Sequence, residues 1–149
     1  MPVALCGPTL MPVVPEIAER HPDLKLVVDH FGLIGYADDG GLTHHPDVLT
    51  WARYPNIAVR PAGAPDCATD RYPFPGMGDL VHAFHDAYGP HRLFWASDIT
   101  RVNGHGGTRR RASWRECVTM FTEHMPWLSA ADLELVVGNA YRAWHGWPA

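Results

Sequence analysis

Apolar residues gather in four short runs along the chain: Val3–Cys6, Leu24–Asp29, Ile57–Val59 and Leu93–Ala96. Each is short and rich in β-branched or aromatic residues, the pattern of strands buried on both faces. Stretches of helical spacing separate or follow them. Met11–Arg20 puts Val13, Val14, Ile17 and Ala18 near one face, and Pro46–Arg53 turns Val48, Leu49 and Ala52 inward. Gly78–Tyr88 carries Leu80, Val81, Phe84 and Tyr88, and Ser113–Glu123 carries Trp114, Cys117, Val118 and Phe121. A last helix opens at Ser129-Ala-Ala-Asp132, a capping pattern, and runs through Leu133, Val136, Val137, Ala140, Tyr141 and Trp144.

The order is strand–helix repeated four times, with one further helix. Such alternation predicts an α/β fold with a parallel sheet and right-handed crossovers. No composition shift or low-complexity tract divides residues 1–149, so one domain is expected. Two irregular connections stand out, Pro61–Gly76 and the glycine- and arginine-rich Ile99–Arg111. Both follow strands and so lie at the C-terminal edge of the sheet, where parallel α/β folds bind ligands.

Composition narrows the function classes. A formal net charge of -4 argues against a general nucleic-acid or membrane-surface binder. No apolar run approaches the ~18 residues of a membrane span, and the first residues lack the basic region of a signal peptide. Three cysteines, Cys6, Cys67 and Cys117, stand far apart with no CxxC pair, which predicts a reduced, cytoplasmic protein. The ten histidines make a metal or acid–base site worth seeking.

Two ionisable groups emerge where apolar runs end at that edge. The second run continues Val27-Val28-Asp29-His30-Phe31-Gly32, and the fourth continues Phe94-Trp95-Ala96-Ser97-Asp98. An imidazole titrates near neutrality, so His30 suits acid–base work or polarisation of a carbonyl. A carboxylate at Asp98 can take a proton from water or bind a metal. The plainer alternatives are a backbone hydrogen bond for His30 and a loop cap for Asp98. His82 and His85, three apart on a helix, read as a half-buried pair. His44-His45-Pro46 reads as a turn, and Arg109–Arg111 as a solvated run.

Several segments together resemble the amidohydrolase-related family, which includes metal-dependent decarboxylases and lactone hydrolases. His21-Pro-Asp-Leu-Lys-Leu-Val-Val-Asp-His30 is similar to its sixth strand, and Arg53-Tyr-Pro-Asn-Ile-Ala-Val-Arg60 to its seventh. Tyr72-Pro-Phe-Pro75 and Gly89-Pro-His-Arg-Leu-Phe-Trp-Ala-Ser-Asp98 resemble the approach to the eighth strand and its terminal aspartate. Gly138-Asn-Ala-Tyr-Arg-Ala-Trp-His-Gly-Trp147 resembles the closing helix.

The resemblance implies a partial (β/α)8 TIM barrel: about four C-terminal βα units plus a closing helix, where a complete barrel takes about 250 residues. It implies a hydrolase acting on a lactone, amide or similar carbonyl compound, or alternatively a metal-dependent decarboxylase. Asp98 and His30 would be the catalytic pair, with Asp98 a metal ligand in some members. Arg60, Arg101 and His105 would contact a small-molecule substrate. A divalent metal such as zinc is implied for the full family fold. The paired first-strand histidines have no counterpart here, and Cys6 stands where the fifth strand would supply another ligand. No tightly bound metal is therefore expected on this chain alone. An open half-barrel leaves two unpaired edges and turns Val28, Val59 and Phe94 toward solvent. A homodimer, a complementary N-terminal half, or a non-catalytic fragment that needs a partner follows as an expectation.

Overall fold

A computed structural model describes residues 1–36, 42–99 and 112–148. Its regular elements, in chain order, are β1 (Val3–Leu5), α1 (Val14–Arg20), β2 (Leu26–Asp29), β3 (Leu33–Tyr36), β4 (Leu42–His44), β5 (Ile57–Arg60), α2 (Pro75–Tyr88), α3 (Trp114–Glu123), α4 (Ala130–Glu134) and α5 (Ala140–His145). The expected parallel sheet forms in the order β1-β2-β5. Its register sets Leu5 beside Val28, Val28 beside Val59, and Asp29 beside Arg60. Asn56 ties the connection from α1 to β2, its amide donating to the carbonyls of Ala18, His21 and Leu24, each at 3.1 Å.

The fourth run joins the sheet less fully than its apolar character suggests. Leu93 makes a parallel bridge to Val59, and the Phe94 N–H donates to the Val59 carbonyl at 3.0 Å. The next donor leaves the ladder: Trp95 N–H goes to the Val136 carbonyl at 2.8 Å. Val136 lies in a π-helical stretch, Leu135–Asn139, that links α4 to α5. A hydrogen bond drawn from outside into the helical ladder accompanies local widening of this kind. The last helix thus takes the pairing that would have lengthened the strand, and among the described residues the sheet does not close.

The two faces of the sheet are covered differently. Leu26, Val28, Ile57, Val59 and Leu93 point to one side, against Val14 and Ala18 of α1, Val81 and Phe84 of α2, and Cys117 and Met120 of α3. Crossover helices lie outside a parallel barrel, so this is the outer face. Val27, Ala58 and Phe94 point to the other side, the one a barrel turns inward. There they meet Ala140, with Leu135, Tyr141 and Trp144 packed around them. The expected exposure of Val28, Val59 and Phe94 is therefore corrected: all three are fully buried. Val28 and Val59 belong to the outer face, and the chain's own last helix covers Phe94.

Other departures have local causes. An antiparallel hairpin, β3 with β4, follows the second strand and places His44 at a strand end rather than in a turn. Residues 46–53 form turns and a short 3-10 helix, Thr50–Arg53, because i→i+3 bonds such as Val48 N–H to the His45 carbonyl win over α-helical ones. Val48 and Trp51 still turn inward. Val13 and Trp114 are exposed, while Met11 and Met120 are buried. Ser113 and Glu116 form a full capping box on α3, and Ser129 caps α4 through Asp132 N–H as its sequence predicts. Among the described residues no helix is long and apolar enough to cross a membrane.

Candidate active site

Parallel strands bring their C-terminal ends to one edge, and there the sequence Asp29-His30-Phe31-Gly32 makes a tight reversal. The Gly32 N–H donates to the Asp29 carbonyl at 2.9 Å. The backbone is left-handed at three consecutive residues, with φ of 50° at His30, 57° at Phe31 and 76° at Gly32. Two non-glycine residues in that region cost on the order of 1–3 kcal/mol each and persist only where packing dictates them. Phe31 supplies the anchor: it is fully buried, with its ring 5.1 Å from that of Phe84. Gly32 is required, since a Cβ there would lie 3.0 Å from Val48 Cγ2.

This turn aims the His30 ring along the strand ends. Its Nδ1 lies 2.7 Å from the Ala62 carbonyl oxygen. A carbonyl only accepts, so Nδ1 carries the hydrogen, and Nε2 is the nitrogen left to do chemistry. Nε2 faces Asp98 Oδ2 at 3.7 Å. Asp98 also sits on left-handed backbone, with φ of 44°, and its carboxylate is mostly buried. In neutral His30, Nε2 and the carboxylate are two acceptors facing each other. The gap is too long for a direct hydrogen bond, and a donor seated beside the pair, off the line joining them, reaches both.

Arg60, at the end of β5, adopts a forked geometry on Asp29, with Nε to Oδ1 at 2.5 Å and a terminal nitrogen to Oδ2 at 2.7 Å. Asp29 strengthens the guanidinium's hold on its proton, raising its pKa against the opposing effect of burial. The side chain the sequence singled out for a substrate anion is thus bonded within the protein. Cys6 lies one residue beyond the last paired position of β1 and is exposed. Arg101 and His105 lie outside the described residues. The cysteine of α3, Cys117, is buried, and burial raises its thiol to about 11, which leaves it inert.

Among the described residues, no three His, Cys, Asp or Glu side chains are placed to hold a metal ion together. His30 and Asp98 supply two converging donors, fewer than the three protein ligands of a catalytic zinc site. The donor set of the described residues does not fit a metal. Elemental analysis of the chain purified without chelator is expected to find far less than one zinc per chain. A stoichiometric zinc would contradict this.

Asp29, Phe31, Gly32 and the Ala62 carbonyl shape the site, although the sequence pattern gives none of them a role there. The register could have paired Asp29 with Arg60, because both are the last residues of adjacent strands. Two histidines outside the edge serve packing. His82 stacks on Trp127 at 4.3 Å, and His45 lies 4.9 Å from Trp51.

The sequence profile of the amidohydrolase family matches residues 1–145. The chain belongs to that family. It is 30% identical over 109 residues to an L-fucono-1,5-lactonase of Burkholderia ambifaria, covering 70% of this chain and 37% of the lactonase. An amidohydrolase of Burkholderia multivorans, solved with bound zinc, superposes with a TM-score of 0.72 at 22% identity. That match covers 99% of this chain and 52% of the other. A 5-carboxyvanillate decarboxylase of Sphingomonas paucimobilis superposes with a TM-score of 0.55 at 15% identity, over 91% of this chain and 38% of that one. Structures at these identities share the fold. This family member therefore spans about half the length of the solved amidohydrolase and less of the lactonase. Zinc or manganese is present in solved structures of its fold relatives.

Proposed function

We propose that the chain carries the water-activating part of a lactone hydrolase site, with Asp98 as general base and His30 as its proton partner. The observation that carries this reading is the 3.7 Å gap between two acceptors, His30 Nε2 and Asp98 Oδ2, at the strand ends. A water placed there donates one hydrogen to each. As its oxygen attacks the lactone carbonyl, Asp98 takes the departing proton. The ring C–O bond then breaks, the leaving alkoxide receives that proton, and a hydroxy acid is released. His30, held in one tautomer by Ala62, accepts the second hydrogen bond and can carry the proton onward.

The similarity to an L-fucono-1,5-lactonase supports a sugar-derived lactone as the substrate class. Arg101 and His105, which follow Asp98 in the chain, are proposed to meet the substrate's polar groups. We further propose that the active form gains additional βα units at the outer edge of β1, from a complementary N-terminal half or a second copy. Support comes from Val3, exposed on that strand, and from Leu10 and Val13, exposed close after it. In that form the last helix yields the inner face of the sheet to the incoming strands.

Acid release from a panel of sugar lactones tests the reading, with the chain assayed alone and with the N-terminal half of the Burkholderia ambifaria lactonase. Lactone opening above the buffer rate is expected in the combined sample. Carbon dioxide release from aromatic carboxylic acids, without lactone opening, would replace the hydrolase with a decarboxylase. Neither reaction in either sample would contradict the proposal.

A further inference from the structure

The Asp29–Arg60 pair does more than close the ends of two strands. Its position in the chain links it to two of the contacts that orient His30. The parallel register sets Asp29 beside Arg60, and the guanidinium grips the carboxylate with two bonds. The same guanidinium lies 5.9 Å from the centre of the Tyr141 ring. These contacts fix Arg60, and its backbone carbonyl then accepts two hydrogen bonds. One comes from His30 N–H at 2.9 Å and the other from Ala62 N–H at 2.8 Å. The Ala62 carbonyl, held this way, is the partner of His30 Nδ1. A single, partly buried pair therefore sets both the backbone from which His30 projects and the acceptor that chooses its tautomer.

We propose that Asp29 and Arg60 are positioning residues, which hold His30 in its Nδ1–H form with Nε2 turned to Asp98. Arg60 acts through its backbone carbonyl, and Asp29 acts through Arg60. Neither needs to touch substrate. The left-handed backbone at His30 and Phe31 makes this support necessary, because a strained turn relaxes when its surroundings loosen. The inference rests on the catalytic reading of His30, but its test reads the ring itself, so the two can fail separately.

The test is nitrogen NMR of the histidine rings in the intact chain, at a pH where imidazole is neutral. Wild-type His30 is expected to be almost entirely the Nδ1–H tautomer. In Asp29→Asn and Arg60→Lys, each close in shape to the original, the ratio of Nδ1–H to Nε2–H is expected to fall by about an order of magnitude. Arg20→Ala, which removes an exposed pair with Glu16, serves as the control and should leave the ratio unchanged. A purely structural role would lower the melting temperature of the two variants without moving the tautomer ratio. That result, in either variant that folds cooperatively, would overturn the proposal. A wild-type His30 in the Nε2–H form would overturn it with no variant at all.

Discussion

Phe94→Ala is expected to destabilise the chain by about 3–5 kcal/mol, the range for truncating a buried aromatic ring. Set against total stabilities of roughly 5–15 kcal/mol for single domains, that is a large share. The ring is fully buried and meets Tyr141 edge-on at 5.5 Å and Trp144 at 5.9 Å. Val27, Ala58 and Ala140 complete its surroundings. Among the described residues, its aromatic contacts all come from the last helix, so the substitution tests whether that helix covers the inner face. Were the face open to water, Phe94 would be an exposed ring on a strand, and alanine would change stability little. Chemical denaturation of both proteins decides the point. A midpoint shift equivalent to about 3 kcal/mol or more is the expected result, and a change under about 1 kcal/mol would remove the helix from that face. A hydrophobic dye should bind the variant more strongly than the parent.

Much of the fold was legible because buried parallel strands leave a plain signal. Three of the four apolar runs pair as read, and the capping serines at 113 and 129 mark where helices begin. What escaped depends on competition between partners distant in the chain. Nothing local to Trp95 reveals that its N–H will leave the sheet for Val136. The hairpin after His30 rests on a pairing, Leu33 with His44, that the short apolar pair Leu33-Ile34 does not announce. At the site, position at strand ends was enough to place His30 beside Asp98. The plainer alternative for His30, a backbone hydrogen bond, is present as well, but which carbonyl accepts it leaves no trace in residue identity. Arg60 illustrates the same limit. The resemblance implies a substrate contact for it, and only the register shows that Asp29 stands next to it.

The effect of Asp98→Asn on lactone opening is expected to be larger still in consequence. Asparagine keeps the size and the carbonyl oxygen of the side chain but cannot accept a proton from water. General-base catalysis contributes typically ~10²–10⁴-fold, and the loss in kcat should fall in that range with KM little changed. The left-handed backbone at Asp98 also tolerates asparagine, so folding should survive the change. His30→Gln should reduce kcat less, because it removes the proton partner and leaves the base. The most direct measurement is the kcat for sugar-lactone opening by wild-type and Asp98→Asn protein, each combined with the complementary half and matched for folded content by circular dichroism. A fall of at least about a hundredfold is the result predicted. A variant within about twofold of wild type would show that Asp98 is not the base, and with it the reading of the strand-end pair would go.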